Sequence, residues 1–169
     1  MSDHIDISEI DKSKFKCYKF PDSSIYYGEV VHTDDGNIVS ENDLSMYNKE
    51  GMQRLKLMRH GVGVQLFDVS DTTCLCRYEG EWTKDKKNGK GICYYSDKSS
   101  YEGNFVNDLF EGNGKFIWPN NDIYIGMWKT GRMEGDGEFK HSDGHILRGS
   151  FRNNYYFDVN SYLYFRKID

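Results

Sequence analysis

One short sequence pattern recurs at a fixed interval and constrains the fold more than any other feature of the chain. The segments 78–82 (YEGEW), 101–105 (YEGNF), 124–128 (YIGMW) and 147–151 (LRGSF) start 23 residues apart. In each of the first three units a Gly-x-Gly pair follows at the same offset, with its first glycine at position 89, 112 or 135. Periods of this size are typical of arrays in which small supersecondary units stack on their neighbours.

Each unit is interpreted as a two-stranded β-hairpin. Side chains alternate along a strand, so Tyr78, Gly80 and Trp82 share one face, while the two glutamates between them share the other. A polar, glycine-ended turn over 83–89 precedes the return strand. Glycine between aromatic residues lets a neighbouring ring lie flat against the backbone, because glycine has no Cβ. The sequence therefore predicts a sheet with an aromatic, glycine-floored face and a charged face.

The pattern Tyr-x-Gly-x-Trp, followed by Gly-x-Gly and a polar turn, resembles the MORN repeat family. Units 78–100, 101–123 and 124–146 match the family pattern fully, and partial flanking units extend the resemblance over most of 15–157. The unit that starts at position 147 has leucine for the tyrosine and no Gly-x-Gly after it. We therefore expect the array to end there.

The predicted fold is all-β: an elongated, single-layer antiparallel sheet of stacked 23-residue hairpins, with about ten strands and one inserted loop or short helix. A polar segment at 1–14 precedes the array, and its isoleucines leave an added edge strand open as an alternative. The aromatic tail at 158–169 either caps the last sheet edge or folds back onto the aromatic face. The predicted array consists of a half unit at 15–25, an interrupted unit at 26–77, full units at 78–100, 101–123 and 124–146, and a partial unit at 147–157.

The first full unit is interrupted by an insertion. Tyr26 and Tyr78 lie 52 positions apart instead of 23, and the expected Gly-x-Gly falls at 61–63. An Asp-Asp-Gly turn before position 37 predicts an extended hairpin, and 41–58 predicts a loop with a short helix. An insertion of this length in an otherwise regular array is a candidate recognition element.

Composition excludes several classes of protein. A net charge of −5 argues against a general nucleic-acid binder, which would need a basic face. Aromatic residues make up 15% of the chain and apolar residues 37%, which suits a thin sheet better than a thick globular core. No run approaches the ~18 apolar residues of a membrane span, and the N-terminus has no signal-peptide apolar block. We therefore expect a cytoplasmic protein, and the resemblance to the MORN repeat family implies association with the cytoskeleton or a membrane.

A search for catalytic and metal-binding motifs finds none that is complete. The Gly-x-Gly pairs lack the continuation of a phosphate-binding loop. Cys74 and Cys76 are too close for the usual zinc knuckle, and no second pair stands at a matching distance. His141 and His145 flank a predicted Ser-Asp-Gly turn, which argues against a metal site. We therefore expect no enzyme activity, no cofactor and no metal.

The aromatic stripe is the candidate functional feature. Either its rings are the core of the array, or they line a partly exposed groove that binds a partner protein through a helix or an extended segment. Tryptophan and tyrosine are frequent binding hot spots, and acidic residues at a groove rim would attract lysine or arginine. Tyr95, Phe116, Trp118 and Phe139 lie behind the stripe. The predicted partner-binding residues are Tyr78, Trp82, Tyr101, Phe105, Tyr124, Trp128, Phe151, Glu79, Glu81 and Glu102.

The resemblance implies a non-catalytic adaptor or scaffold, because small stand-alone members of the family are protein-interaction modules on cytoskeletal, motor or ciliary proteins. It also implies an alternative, binding to phosphoinositide or other acidic membranes. The basic clusters at 54–60 and 84–87 would each contribute about 1 kcal/mol per basic residue near an anionic surface. As a regulatory module of an enzyme, the array would need a catalytic partner in trans. Pairing of arrays edge to edge leaves a homodimer open.

Overall fold

A computed structural model shows one antiparallel sheet. It describes residues 13, 15–20, 23–68 and 74–157, and the backbone of 164–167. Residues 1–12 and 14 of the predicted polar segment 1–14, residues 21–22 and 69–73, and most of the tail lie outside the described residues. The strands are β1 (Lys16–Lys19), β2 (Ile25–Asp34), β3 (Asn37–Val39), β4 (Lys56–Leu66), β5 (Leu75–Thr83), β6 (Lys86–Tyr95), β7 (Ser100–Val106), β8 (Leu109–Ile117), β9 (Ile123–Lys129), β10 (Arg132–Lys140), β11 (Ile146–Arg152), β12 (Tyr155–Phe157) and β13 (Tyr164–Lys167).

The strands follow one another in chain order across the sheet, except that β3 pairs with the far part of β2 and so lies off the main path. The prediction of an all-β, single-layer antiparallel array is confirmed. Its described part has 13 strands, more than the predicted number, because β3 extends the first hairpin and β12 and β13 continue the sheet beyond the last unit. The described part of the predicted capping tail therefore adds a strand to the sheet edge.

A row of glycines crosses the sheet and supports the tyrosine rings. Tyr101 lies flat over Gly103 and Gly114, where an added Cβ would come within 2.5 and 2.4 Å of its hydroxyl oxygen. The Tyr101 hydroxyl donates a hydrogen bond to the carbonyl of Asn104 at 3.0 Å. The same arrangement recurs at the other repeat tyrosines, so the predicted glycine floor is present. Paired across neighbouring strands, the row comprises Gly28, Gly63, Gly80, Gly91, Gly103, Gly114, Gly126, Gly137 and Gly149.

The hairpin turns are shorter than the sequence predicted. The turn predicted over 83–89 consists of Lys84 and Asp85, which have φ of +47° and +68°, and β6 begins at the next residue. Two-residue turns with positive φ match the natural twist of the flanking strands. The glycine at 89 lies inside β6 with φ of +104°, next to a register shift in the β5–β6 pair. A β-bulge therefore absorbs the residues that the prediction had assigned to the turn.

The two edges of the sheet carry different turns. The two-residue turns at 84–85, 107–108, 130–131 and 153–154 lie along what we call the hairpin-turn edge. The longer turns that connect one unit to the next lie along the opposite, connecting-turn edge. There, Trp118 N–H donates to the carbonyl of Asp122, and Phe20 N–H donates in the same way to that of Ser24, each at 2.9 Å. The segment before β2 thus has the turn geometry of a full unit.

The insertion projects from the hairpin-turn edge. The turn at 35–36 joins β2 to β3, as the Asp-Asp-Gly motif predicts, and φ is positive at both residues. Two short helices follow, α1 (Glu41–Leu44) and α2 (Lys49–Arg54). The side chains of Ser40 and Asn48 cap them by accepting backbone N–H groups of the first turn. The chain then returns through β4, which pairs with the whole length of the extended β2.

Candidate functional site

The repeat aromatic side chains form one continuous chain of ring contacts. Trp82, Phe105 and Trp128 each insert between the tyrosine of their own unit and that of the unit before, as Trp82 does between Tyr78 and Tyr26 at centroid distances of 4.9 and 5.8 Å. Most of these contacts are edge-on, the geometry that aromatic quadrupoles favour. The chain runs through Tyr26, Trp82, Tyr78, Phe105, Tyr101, Trp128, Tyr124, Phe151 and Tyr156.

This packing buries the aromatic residues predicted to contact a partner. The seven are between 0 and 5% exposed, so the expectation of an open groove lined by these rings is wrong, and the alternative that they form the core is correct. Burial also raises the pKa of the tyrosine hydroxyls far above its usual range, which keeps them protonated as hydrogen-bond donors. The seven residues are Tyr78, Trp82, Tyr101, Phe105, Tyr124, Trp128 and Phe151.

The three predicted acidic contacts lie on the opposite face of the sheet from the rings. Strand alternation places Glu79, Glu81 and Glu102 there, so they do not form a rim around the aromatic residues, and that part of the prediction is wrong. Glu79 pairs with Arg77 at 2.6 Å, and Glu81 accepts the N–H of Lys90 at 2.9 Å. The Glu79 and Glu81 carboxylates therefore bind groups of the array itself.

A second set of aromatic residues remains accessible on the aromatic face. They lie at the connecting-turn edge, at or just after the ends of alternate strands, and all are half-buried. The sequence signal is an aromatic or imidazole ring immediately before each polar connecting turn, and the sequence predicts only Tyr95 and Trp118 of this set as backing for the stripe. We call this set the edge row, and it consists of Phe20, Phe67, Tyr95, Trp118 and His141.

The edge row packs on buried and partly buried neighbours. Trp118 packs against Phe116 and Phe139 at centroid distances of 4.6 and 5.1 Å, and Phe139 contacts His141 at 4.8 Å. The imidazole Nδ1 of His141 lies 3.6 Å from a carboxylate oxygen of Asp122. Burial of this carboxylate opposes ionisation, but hydrogen bonds from the turn and the nearby imidazole outweigh it, so the pKa of Asp122 lies below its usual value. Ring packing and the contact with Asp122 therefore hold Trp118 and His141 in place at the edge of the sheet.

Cations cover the aromatic face near the insertion. The guanidinium of Arg59 lies 4.4 Å from the ring centroid of Trp82 and binds Asp85 at 3.1 Å. Lys87 lies 5.7 Å from the ring centroid of Tyr78 and 3.6 Å from Asp108. The structure therefore brings the two predicted basic clusters together, while internal carboxylates pair with one cation from each.

The opposite face is less charged than the sequence predicted. Ile25, Tyr27, Leu66, Ile125 and Ile146 are 38 to 54% exposed there, interspersed with charged residues. They follow the period-two alternation, and Ile25 and Ile146 occupy equivalent positions of their units, as do Tyr27 and Ile125. The same two positions of the unit at 78 carry Arg77 and Glu79, so charged residues interrupt the apolar contacts on this face.

The described residues contain no group of three or more His, Cys, Asp or Glu side chains placed to hold a metal ion. His141 and His145 flank a turn, closed by a backbone hydrogen bond of 2.8 Å, as the Ser-Asp-Gly motif predicts. None of the helices in the described part of the chain is long and apolar enough to cross a membrane.

The fold and the edge row define a class of protein: an open array of β-hairpin repeats that presents one periodic aromatic surface. The family model of the MORN repeat matches residues 78–100, 101–123 and 124–146, the same three units that the period delimits. The chain therefore contains three consecutive MORN repeats at 78–146. MORN repeats generally serve as modules for interaction with proteins or membranes. No curated protein sequence shows significant similarity to this chain.

Proposed function

We propose that this protein is a non-catalytic interaction module that binds a helix or an extended segment of a partner protein along the edge row. One observation carries the proposal: half-exposed aromatic side chains recur at equivalent positions along one side of a rigid sheet. Partly exposed tryptophan and tyrosine side chains on a preorganised support are favourable binding anchors, because little conformational entropy is lost when a partner covers them. The family supports the same general role.

The spacing of the edge row suits a peptide segment. Phe67, Tyr95, Trp118 and His141 belong to β4, β6, β8 and β10, so adjacent members are two strands apart, or about 9.5 Å at the usual strand separation. Residues i and i+7 of an α-helix are about 10.5 Å apart along its axis. Residues i and i+3 of an extended polyproline II segment lie on the same side of the chain and are separated by about 9.3 Å. Either conformation would place one anchor over each repeat.

We further propose, from the family resemblance, a cytoplasmic protein with a partner of the cytoskeletal, motor or ciliary type. The edge row extends over several repeats, which favours recognition of a segment over recognition of a small molecule, since small ligands are usually held in a single concave site. The role would be that of an adaptor or scaffold, and the catalytic activity, if the complex has any, would belong to the partner.

Affinity purification with mass spectrometry tests this proposal. The variant Tyr95→Ala/Trp118→Ala removes two adjacent anchors, and Ile125→Ala/Ile146→Ala removes exposed apolar side chains from the opposite face as a matched control. We expect a partner that the wild type and the control recover, and that the edge-row variant loses. Circular dichroism and a thermal melt establish that each variant is folded. Equal recovery by the folded edge-row variant would contradict the proposal.

A second candidate function is binding to an acidic membrane at the hairpin-turn edge. It is favoured by the contact between the two basic clusters, where the N–H of Arg59 donates to a carboxylate oxygen of Asp85 at 2.8 Å. Co-sedimentation with phosphoinositide vesicles should then require anionic lipid, weaken with salt, and be reduced by Lys84→Glu/Lys86→Glu. If the protein does not bind these vesicles at low salt, membrane binding is excluded as its function.

A further inference from the structure

The insertion forms a cleft at the opposite edge of the sheet from the edge row. It lies between the β2–β3 hairpin and the segment that contains α1, and its volume is about 460 Å³. The sequence marks this insertion as a candidate recognition element, and the proposed function does not involve it. The cleft is lined by Asp34, Asp35, Asn37, Ile38, Val39, Asp43, Met46 and Tyr47.

Two apolar side chains of the cleft have a large solvent-exposed fraction. Met46 is 82% exposed, more than any other large hydrophobic side chain in the described residues, and Ile38 is 47% exposed. Covering an exposed methionine contributes favourably to the binding free energy, because it removes apolar area from water. Its flexible thioether also adapts to apolar partners of different shape. These two residues supply an apolar anchor point.

The polar lining of the cleft has one sign of charge. Asp34, Asp35 and Asp43 carry three carboxylates, and the lining contains no lysine or arginine. The Tyr47 hydroxyl donates to Asp34 at 3.1 Å, and the Ser40 hydroxyl donates to Asp43 at 2.6 Å, so neutral groups hold two of the carboxylates in place. Within the described residues, no ion pair involves any of the three. The ammonium of Lys84 donates to the carbonyl of Gly36 in the adjoining turn at 2.7 Å and is in no ion pair with these carboxylates, so the charge complement of this apolar site is a cationic ligand.

We propose that the cleft binds a basic amphipathic segment of a protein. An aliphatic or aromatic side chain of that segment would cover Met46 and Ile38, and flanking lysine or arginine residues would reach the aspartates. A metal ion is a poorer occupant, because the aspartates do not converge as a ligand group in the described structure. The site is independent of the edge row, and the two lie at opposite edges, so both can be occupied at once.

Fluorescence anisotropy with a synthetic peptide tests the inference. The probe is a short fluorescein-labelled peptide of alternating Lys-Lys and Leu-Leu pairs, and two analogues replace either lysine by glutamate or leucine by serine. We expect the basic apolar probe to bind, its affinity to fall with salt, and both analogues to bind at least about tenfold more weakly. The charge and apolar requirements are thus measured separately.

Variants of the full-length protein locate the site. Met46→Gln should weaken the probe about tenfold, and Asp34→Asn/Asp35→Asn about three- to tenfold, because these changes remove the apolar anchor or two surface charges. Asparagine tolerates the positive φ at position 35, so that variant keeps the turn. Met127→Gln/Asp143→Asn, made at exposed sites outside the insertion, is the matched control. Equal binding by all variants, equal binding of the serine analogue, or no binding of the basic probe would overturn the proposal.

Discussion

Replacing Gly114 by alanine tests whether the tyrosine ring requires the glycine floor. The new Cβ would lie 2.4 Å from the hydroxyl oxygen of Tyr101 and 2.7 Å from two of its ring carbons. The ring has no free space above, because Phe110 stacks on it at a centroid distance of 3.6 Å. Tyr101 is fully buried, so relief requires displacement of the ring and of its neighbours.

The cost follows from two physical effects. Forcing an extra methyl group into a packed core costs about 1–3 kcal/mol. Displacing the ring also breaks the hydrogen bond from Tyr101 to the carbonyl of Asn104, which contributes about 1 kcal/mol. We expect Gly114→Ala to lower the free energy of unfolding by about 2–4 kcal/mol. That is a large share of the total, which for folded domains is about 5–15 kcal/mol.

Urea unfolding, followed by circular dichroism and tryptophan fluorescence, measures this loss. Gly144→Ala is the control, since its Cβ meets open space and the substitution strains only a backbone with φ of +95°. Its expected cost is about 1–2 kcal/mol. Tyr101→Phe removes the oxygen closest to the new Cβ, so the double variant with Gly114→Ala should lose less than the sum of the single losses. Strict additivity, or a loss at Gly114 below that of the control, would refute the steric reasoning.

Three further predictions concern the stability contributions of two tryptophans, the reactivity of two cysteines and the pH dependence that Asp122 causes. Trp128→Ala should lower the free energy of unfolding by about 3–5 kcal/mol, and Trp118→Ala by less than half as much, because only the first is fully packed. The thiol of Cys93, whose pKa burial raises to about 12, should react with a disulfide reagent only after unfolding, whereas exposed Cys17 reacts in the native state. The Asp122 carboxylate, whose pKa is lowered in the folded state, should stabilise the fold at neutral pH and lose this contribution as pH falls below about 4. Asp122→Asn should therefore flatten the acid limb of a urea-midpoint titration.

Each of these predictions has a specific result that would contradict it. Equal losses at the two tryptophans would mean that the edge row is core rather than surface. Rapid native-state labelling of the buried thiol would show that the sheet opens locally at β6. An unchanged acid limb in the asparagine variant would mean that the carboxylate does not favour its ionised form in the folded state.

The period and the strand alternation were sufficient to predict the fold. A unit of 23 residues with Tyr-x-Gly-x-Trp and Gly-x-Gly has few ways to place its glycines except under a ring. Antiparallel pairing then aligns the glycines of neighbouring units, as Gly91 does with Gly103 and Gly114 with Gly126. A local rule repeated along the chain therefore determines the long-range register, because the described strands other than β3 follow one another in chain order across the sheet.

Exposure could not be predicted in the same way. Alternation places Phe105 and Trp118 on the same face, yet the first is 1% exposed and the second is half-buried. The difference comes from the preceding unit, whose Tyr78 ring packs against Phe105 at 5.2 Å and closes it from solvent. Contacts between units depend on side-chain direction and on sheet twist, and a one-dimensional pattern specifies neither.

The insertion shows how the array tolerates added sequence. It leaves and re-enters at the hairpin-turn edge, so Gly28 still pairs with Gly63 in the glycine row. At the re-entry point the carbonyl of Arg59 accepts the N–H of Asp85 at 3.0 Å, and the next units repeat this link between one strand and the following turn, with Lys87 as the next acceptor. This backbone link between neighbouring units therefore forms at a repeat position and does not use the inserted residues. The inserted residues can therefore vary to suit a binding partner, because substitutions at the cleft change neither the strand register nor the aromatic core.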